Sequence, residues 1–423
     1  MRYALVNPPW SFEGSIYFGC REPHLPLELA YSKALLEKAG HTVKIVDGHL
    51  NGLSLDDIVG GVKDFRPDFA VVTTAPSYLF WRCAPPELRV PRQTIDALRG
   101  IGCTLVAVGP HGSTTARTTL TKLGVDVVVM GECEEVLPNL SDDWSGVQSI
   151  CYRSAGEICI QGGRHAVNMD GLPALTWSAE EIARHRHHHH RFDRAPYGGG
   201  AEMETSRGCP YQCTFCAKEN FRNTFRRRPL DVVAKELDGL LNSGATYVYF
   251  IDEIFLPYQP VLEMIASRQV KFGIQTRIDL WNRSMIELLG RAGCVSIEAG
   301  VESITESGRD LLAKRCKLST EELTDRLVYA KQSIPFVQAN LLDCQTDNPN
   351  EVERWRAQLQ QCGVWANKPV PLFPYPGSPD YTRRWGPPDD LAWERAHEFY
   401  LSQFEEFSDV QENRPATLMQ LEG

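Results

Sequence analysis

Glu204-Thr-Ser-Arg-Gly-Cys-Pro-Tyr-Gln-Cys-Thr-Phe-Cys-Ala-Lys218 sets Cys209, Cys213 and Cys216 in the spacing C-x3-C-x2-C. Four thiolates normally hold a 4Fe-4S cluster, so a compact set of three leaves one iron without a protein ligand. An iron left open in this way can take a substrate or cosubstrate, as a catalytic zinc does at its free position. A zinc loop is the competing reading. Such loops recruit a fourth Cys or His at short spacing, and none follows before Cys294.

Working outward, strands and helices alternate on the carboxyl side of this loop. Glu202-Met-Glu-Thr-Ser206 is expected as the strand that delivers it, and residues 231–241 as a helix. Further strands are expected at Tyr247-Val-Tyr-Phe-Ile251, Lys271-Phe-Gly-Ile-Gln275, Val295-Ser-Ile-Glu298, residues 336–341 and residues 369–373. Six such units make a partial (β/α)6 barrel over residues 201–381, with the chemistry gathered at the carboxyl ends of the strands. Residues 382–423 form a short helical extension whose Leu391, Trp393, Phe399, Tyr400 and Phe404 face either the core or the barrel mouth.

On the amino side, Tyr3-Ala-Leu-Val6, Thr42-Val-Lys-Ile-Val46, Phe69-Ala-Val-Val-Thr73, Thr104-Leu-Val-Ala-Val108 and Val125-Asp-Val-Val-Val129 are short apolar runs, each closed by a loop. They predict a doubly wound, Rossmann-like parallel sheet over residues 1–145, with a groove at its carboxyl edge. The fold class is thus α/β. Residues 146–200 connect the two units through a hairpin about Gly156 and a histidine run, His185 with His187 to His190, which is either a metal-binding tract or an exposed link.

The cysteine loop resembles that of radical S-adenosylmethionine (radical SAM) enzymes, and Phe215 matches the aromatic residue often found before the last cysteine. That resemblance implies a 4Fe-4S cluster, S-adenosylmethionine chelated on the open iron, and reductive cleavage to a 5'-deoxyadenosyl radical. It also implies roles at the strand ends. Asp252 and Glu253 match the acidic end of the second strand, near the methionine amino group, while Gln275 and Arg277 lie at the third. Gly300, Glu302 and Ser303 match the G-x-E-S turn that reaches the cosubstrate. Pro374-Tyr-Pro-Gly-Ser-Pro379 matches the turn after the sixth strand. Asp252, Glu253 and Glu302 are the catalytic candidates. The bland alternatives are rim ion pairs, with Glu298 and Asp279 meeting Arg277 or Arg283; Lys314 and Arg315 read either as a carboxylate- or phosphate-binding pair or, more commonly, as a solvated helix end.

The first 140 residues are similar to the cobalamin (B12)-binding-type domain that precedes the barrel in one class of these enzymes. The likeness rests on Asn7-Pro-Pro9, Asp47, Gly109-Pro-His111 and Gly131-Glu-Cys-Glu134 at successive strand ends. Asp47-Gly-His-Leu-Asn-Gly52 fits D-x-H-x-x-G, in which His replaces the lower cobalt ligand. It follows the second strand instead of the first, so it reads as a surface turn. Whether cobalamin is kept stays open: Thr73 and Thr74 suit its nucleotide tail, whereas Ser77-Tyr-Leu-Phe-Trp-Arg-Cys83 carries bulk that could fill the groove.

Composition narrows the partners. A net charge of −10 excludes nucleic acid as the main partner, and Arg226-Arg-Arg228 is too short a basic run to reverse that. No stretch spans a bilayer, and the start reads as a strand, so a cytoplasmic protein is expected. The 13 cysteines, an odd count mostly scattered singly, predict reduced and mostly buried thiols. The expected partners are a polar small molecule and a one-electron donor such as flavodoxin or ferredoxin. After hydrogen abstraction, the leading expectation is redox-neutral dehydration of a cationic aminoglycoside or amino sugar. It rests on a likeness of overall layout to radical SAM dehydratases of the paromamine type. The alternatives are a cobalamin-dependent C-methyltransferase and a non-catalytic Fe-S scaffold.

Overall fold

Alternating side chains on the first strand explain how the N-terminal half packs. In the computed structural model, which describes residues 1–17, 22–77, 84–141, 143–186, 198–218, 222–403 and 414–423, Tyr3 and Leu5 of β1 (Arg2–Asn7) enter one apolar cluster and Ala4 and Val6 the opposite one. Both faces of the sheet are therefore covered. Helix Leu27–Lys38 contributes Leu29 and Leu36 to the first cluster, and helix Leu55–Phe65 contributes Ile58 and Val62 to the second. The latter helix starts at a reciprocal Ser54–Asp57 capping box.

β2 (Thr42–Asp47), β3 (Phe69–Thr73), β4 (Thr104–Val108) and β5 (Val127–Val129) complete a parallel core in the order β2-β1-β3-β4-β5. The order reverses between β1 and β3, which fixes the functional edge at their carboxyl ends. The expected hairpin forms as β6 (Ile150–Ser154) and β7 (Glu157–Gln161), but it pairs antiparallel onto β5 and so extends this sheet to seven strands instead of standing alone as a connector. Val127–Val129 lacks a further parallel neighbour, and Ile150 and Cys151 offer apolar cover there.

The second half is a parallel sheet running β8 (Gly199–Met203), β11 (Ala245–Phe250), β12 (Lys271–Thr276), β13 (Cys294–Glu302), β14 (Phe336–Asp343) and β15 (Trp365–Ala366). Three expectations need correction. The first strand ends at Met203, and Ser206–Arg207 (β9) pairs antiparallel with Arg226–Arg227 (β10). The fourth is nine residues long and carries Gly300 and Glu302 within it. The sixth position falls to Trp365–Ala366, with Val370–Pro371 (β16) pairing separately with β14 beyond Asn367, Lys368 and Pro369.

Register gives this sheet two unlike faces. Ala201, Val248, Phe272, Ile274, Ile297, Val337 and Ala339 are buried with Leu237, Leu262, Leu289 and Leu327 of the surrounding helices. The other face carries Glu202, Tyr249, Gln275, Glu298 and Gln338, a polar lumen. Gly273 lies on that face because a Cβ there would come within 2.2 Å of Tyr247 Oη.

The C-terminal extension is a packing element. Trp393 of helix Ala392–Ser402 is buried 4.7 Å from the His111 ring and donates to Thr115 Oγ1 at 3.0 Å, and Tyr400 packs with Phe373 and Tyr381. Leu391 is exposed, and Phe404 lies outside the described residues. No helix among the described residues is long and apolar enough to cross a membrane. None of the eleven described cysteines forms a disulfide, but only Cys133, Cys151 and Cys294 are fully buried, fewer than the sequence suggested.

His111 has a measurable consequence. Its Nε2 meets the Pro85 carbonyl at 2.8 Å, and burial pushes its pKa from 6.5 down to about 3. The unfolded chain therefore takes up a proton that the folded chain refuses. Stability from this group is whole above pH ~6.5 and is lost as pH falls toward 3, by up to about 1.4 kcal/mol per unit. Unfolding measured from pH 7.5 to 4.5 is expected to show a shallower pH slope in His111→Asn than in the parent. Equal slopes would contradict it.

Candidate functional site

Gly208 opens the cysteine loop with φ +80°, and a Cβ there would lie 2.2 Å from the Thr224 carbonyl oxygen, so only glycine makes this turn. Backbone bonds then fix the loop on three sides. Cys209 N–H reaches the Arg222 carbonyl at 3.4 Å, Thr214 N–H the Leu312 carbonyl at 3.0 Å, and Asp380 N–H the Thr214 carbonyl at 2.9 Å. The Asp380 contact brings the turn 374–379 against the cysteines. Inside the loop Lys218 Nζ donates to the Cys209 carbonyl at 2.7 Å.

All three thiols are half-buried. Burial raises the pKa of Cys209 and Cys213, and Lys218 and Lys314 respectively pull in the other direction. Among the described residues, the group of three or more His, Cys, Asp or Glu ligand atoms found within 4.8 Å of one another is His24, His185 and Glu202. Among the described residues, Cys209, Cys213 and Cys216 do not form so tight a group. Three spaced thiolates suit the corners of a cluster.

The expected strand-end residues assemble around this loop in different ways. Arg277 stacks 4.2 Å from the Tyr211 ring centroid and binds Asp279 through two contacts of 3.1 and 2.7 Å. Asp279 thus pairs with Arg277 as the rim alternative held, and Arg283 lies over Tyr329. Glu302, at φ +65°, forms an ion pair with Lys314, and both are close enough to Cys213 to act on its charge. Lys314 is buried, not a solvated helix end. Gly300 stands beneath this pair, since a Cβ there would come within 2.5 Å of Glu302 Oε1. Gln275 and Phe215 are half-buried on the lumen and the loop.

Other candidates hold the frame. Asp252 is buried and accepts from Thr205 N–H at 2.8 Å and from the Thr205 and Ser206 hydroxyls at 2.5 Å each, while burial lifts its pKa to about 7. Its carboxylate therefore fastens the chain as it enters the loop. Glu253 accepts from Gly208 N–H at 2.8 Å and pairs with Arg222. The Ser303 hydroxyl donates to Asp347 Oδ1 at 2.7 Å, away from the cysteines in its bonding.

A buried ion network that the sequence reading did not assemble joins this loop to the N-terminal sheet. Arg207, two residues before Cys209, meets Glu134 at 2.7 Å and Glu204 at 2.8 Å. Arg222 meets Glu132 at 3.0 Å, and Arg226 binds the same carboxylate at 2.8 Å. Two members of the basic run are therefore spent internally, since Arg228 pairs with Glu236 at 2.7 Å, while Arg227 is exposed and lies over the Phe225 and Tyr258 rings. Burial disfavours charge on Glu132, yet Arg222 and Arg207 outweigh it and bring its pKa to about 2, whereas burial keeps that of Glu134 raised. Glu132 and Glu134 follow β5, so the carboxyl edge of the first sheet is held against the cysteine loop. The available signal was Arg207 beside the first cysteine and Glu132-x-Glu134 at a strand end.

D-x-H-x-x-G forms a single helical turn, Gly48–Asn51, capped by Asp47, which accepts from Leu50 N–H at 2.9 Å. Asp47 and Gly48 are buried, so it is an anchored turn, and His49 Nε2 lies 3.0 Å from the Glu22 carbonyl. His187 to His190 and the aromatic stretch of residues 78–83 lie outside the described residues.

Comparison with known proteins agrees with this architecture. The family profile described as B12 binding domain matches residues 20–141, and that of the Radical SAM superfamily matches residues 203–355. The chain is a radical SAM protein with an N-terminal B12-binding domain. It is similar to an uncharacterized methyltransferase of Pyrococcus horikoshii, 24% identical over 403 residues, covering 91% of this chain and 82% of that protein. It is also similar to the anaerobic magnesium-protoporphyrin IX monomethyl ester cyclase of Cereibacter sphaeroides, 25% identical, covering 88% of this chain and 63% of the cyclase. Among solved structures, the radical S-adenosylmethionine methyltransferase TsrM of Kitasatospora setae, with cobalamin and a [4Fe-4S] cluster bound, shares the fold at a TM-score of 0.68 and 16% identity, covering 90% of this chain and 73% of TsrM.

Proposed function

We propose that this protein is a cobalamin-dependent radical SAM enzyme that transfers a methyl group to a carbon of a polar small molecule. The observation that carries this is the Glu132–Arg222 and Glu134–Arg207 bridging, which sets the edge of a B12-type sheet against the cysteine loop. The methyltransferases among its relatives support the same reading. When bound, the cluster supplies the electron that cleaves S-adenosylmethionine, and cobalamin supplies a transferable methyl group.

Cys209, Cys213 and Cys216 would hold the cluster, and Arg277, Gln275, Glu302 and Lys314 line the approach to it. Thr73 and Thr74 at the end of β3 would receive a nucleotide tail, while the Ser113 hydroxyl is already bonded to the Gly109 carbonyl and the Gly131 N–H. His49 Nε2 and His111 Nε2 each meet a backbone carbonyl. Asp252 and Glu253 keep the loop in place, and a flavodoxin or ferredoxin would deliver the electron.

One observation favours a second reading, hydrogen abstraction followed by loss of a neighbouring hydroxyl as water. Thr73, Thr74 and His111 are fully buried by the chain's own residues, with Trp393 over the imidazole. Expression with cobalamin separates the two. One equivalent retained per chain through gel filtration, visible in the corrin absorption, is the expected result. A chain with a full cluster that leaves cobalamin behind would transfer the case to dehydration.

A further inference from the structure

We propose a second metal site, distinct from the cysteine loop, in which His24, His185 and Glu202 bind a divalent cation of the Zn2+ or Fe2+ type. The three side chains come from separate parts of the chain: the segment before helix Leu27–Lys38, the end of helix Ala179–Arg184, and β8. Their ligand atoms lie within 4.8 Å of one another, and all three residues are buried, with Glu202 fully enclosed. Two imidazoles and a carboxylate are a donor set that suits these metals.

The surroundings are shaped for the arrangement. Gly200 leaves room for the imidazole of His185, since a Cβ there would come within 3.2 Å of its Cδ2. Arg186 N–H donates to the Pro23 carbonyl at 2.8 Å, which pins the two histidine-bearing segments side by side over the edge strand β8. His24 Nδ1 lies 2.8 Å from Glu202 Oε1, so ring and carboxylate already share one locus. Leu25 N–H reaches His185 Nδ1 at 3.2 Å, a long contact. Ligation through that nitrogen exchanges it for a metal bond, and ligation through Nε2 moves the ring proton to Nδ1 and turns the amide away. The cation would clip the first domain, the connector and the first barrel strand at their junction.

Cobalt substitution tests this in the full chain carrying Cys209→Ala, Cys213→Ala and Cys216→Ala, so that no cluster thiolate competes. One equivalent of Co2+ is expected, with visible d–d bands and no sulfur-to-cobalt charge-transfer band, as nitrogen and oxygen donors dictate. His24→Ala or Glu202→Gln in that background should lose the bands. Zinc analysis of the cluster-bearing parent gives an independent readout: about one zinc per chain, lowered by Glu202→Gln, agrees with the site. Absent cobalt bands together with absent zinc in the parent, or full binding by Glu202→Gln, would leave a buried hydrogen-bonded triad and overturn the proposal. Neither result bears on S-adenosylmethionine cleavage.

Discussion

Replacing Cys209, Cys213 and Cys216 together by alanine is expected to remove the iron–sulfur absorption of the reconstituted protein and to bring S-adenosylmethionine cleavage to background. Burial already raises the pKa of Cys209 and Cys213, so their deprotonation depends on the metal that they bind. The fold should survive, because backbone bonds at Cys209 and Thr214, the Lys218 ammonium and the Gly208 turn fix the loop. Near-native circular dichroism with no iron would separate loss of the cluster from loss of structure. Iron retained at four equivalents would contradict the assignment.

Arg207→Met is expected to cost about 3–5 kcal/mol of stability, the range for breaking one side of a buried ion pair. The guanidinium is fully enclosed between Glu134 and Glu204, and its loss strands carboxylates that water cannot reach. Its neighbour Arg222 cannot serve both groups, since it already meets Glu132 and Glu253. Urea unfolding measures the loss, and adding Glu134→Gln should restore part of it. A cost under ~1 kcal/mol, or no rescue, would mean that the network does not hold the domains together.

Much of this was legible in the chain. Apolar runs of about five residues gave the doubly wound sheet because a strand buried on both faces has no polar positions to spare, as in Phe69–Thr73. The cysteine spacing marked the loop because it is a local constraint. What escaped were features set by tertiary partners. The hairpin's docking onto β5 depends on an edge that only the folded sheet presents. Lys314 looked like a solvated cation, and only β13 reaching to Glu302 buries it. The bonds of Asp252 to Thr205 and Ser206 depend on the first strand stopping at Met203. The Glu132–Arg222 and Glu134–Arg207 pairs link residues some 70 to 90 positions apart, beyond any periodicity.

The open iron at the cysteine loop is the claim on which the rest depends. It is tested most directly by anaerobic incubation of the reconstituted protein with dithionite and S-adenosylmethionine, followed by chromatographic assay for 5'-deoxyadenosine. Its formation by the parent and its absence in the triple alanine variant is the predicted result. Intact S-adenosylmethionine in the presence of a fully formed, reduced cluster would contradict it.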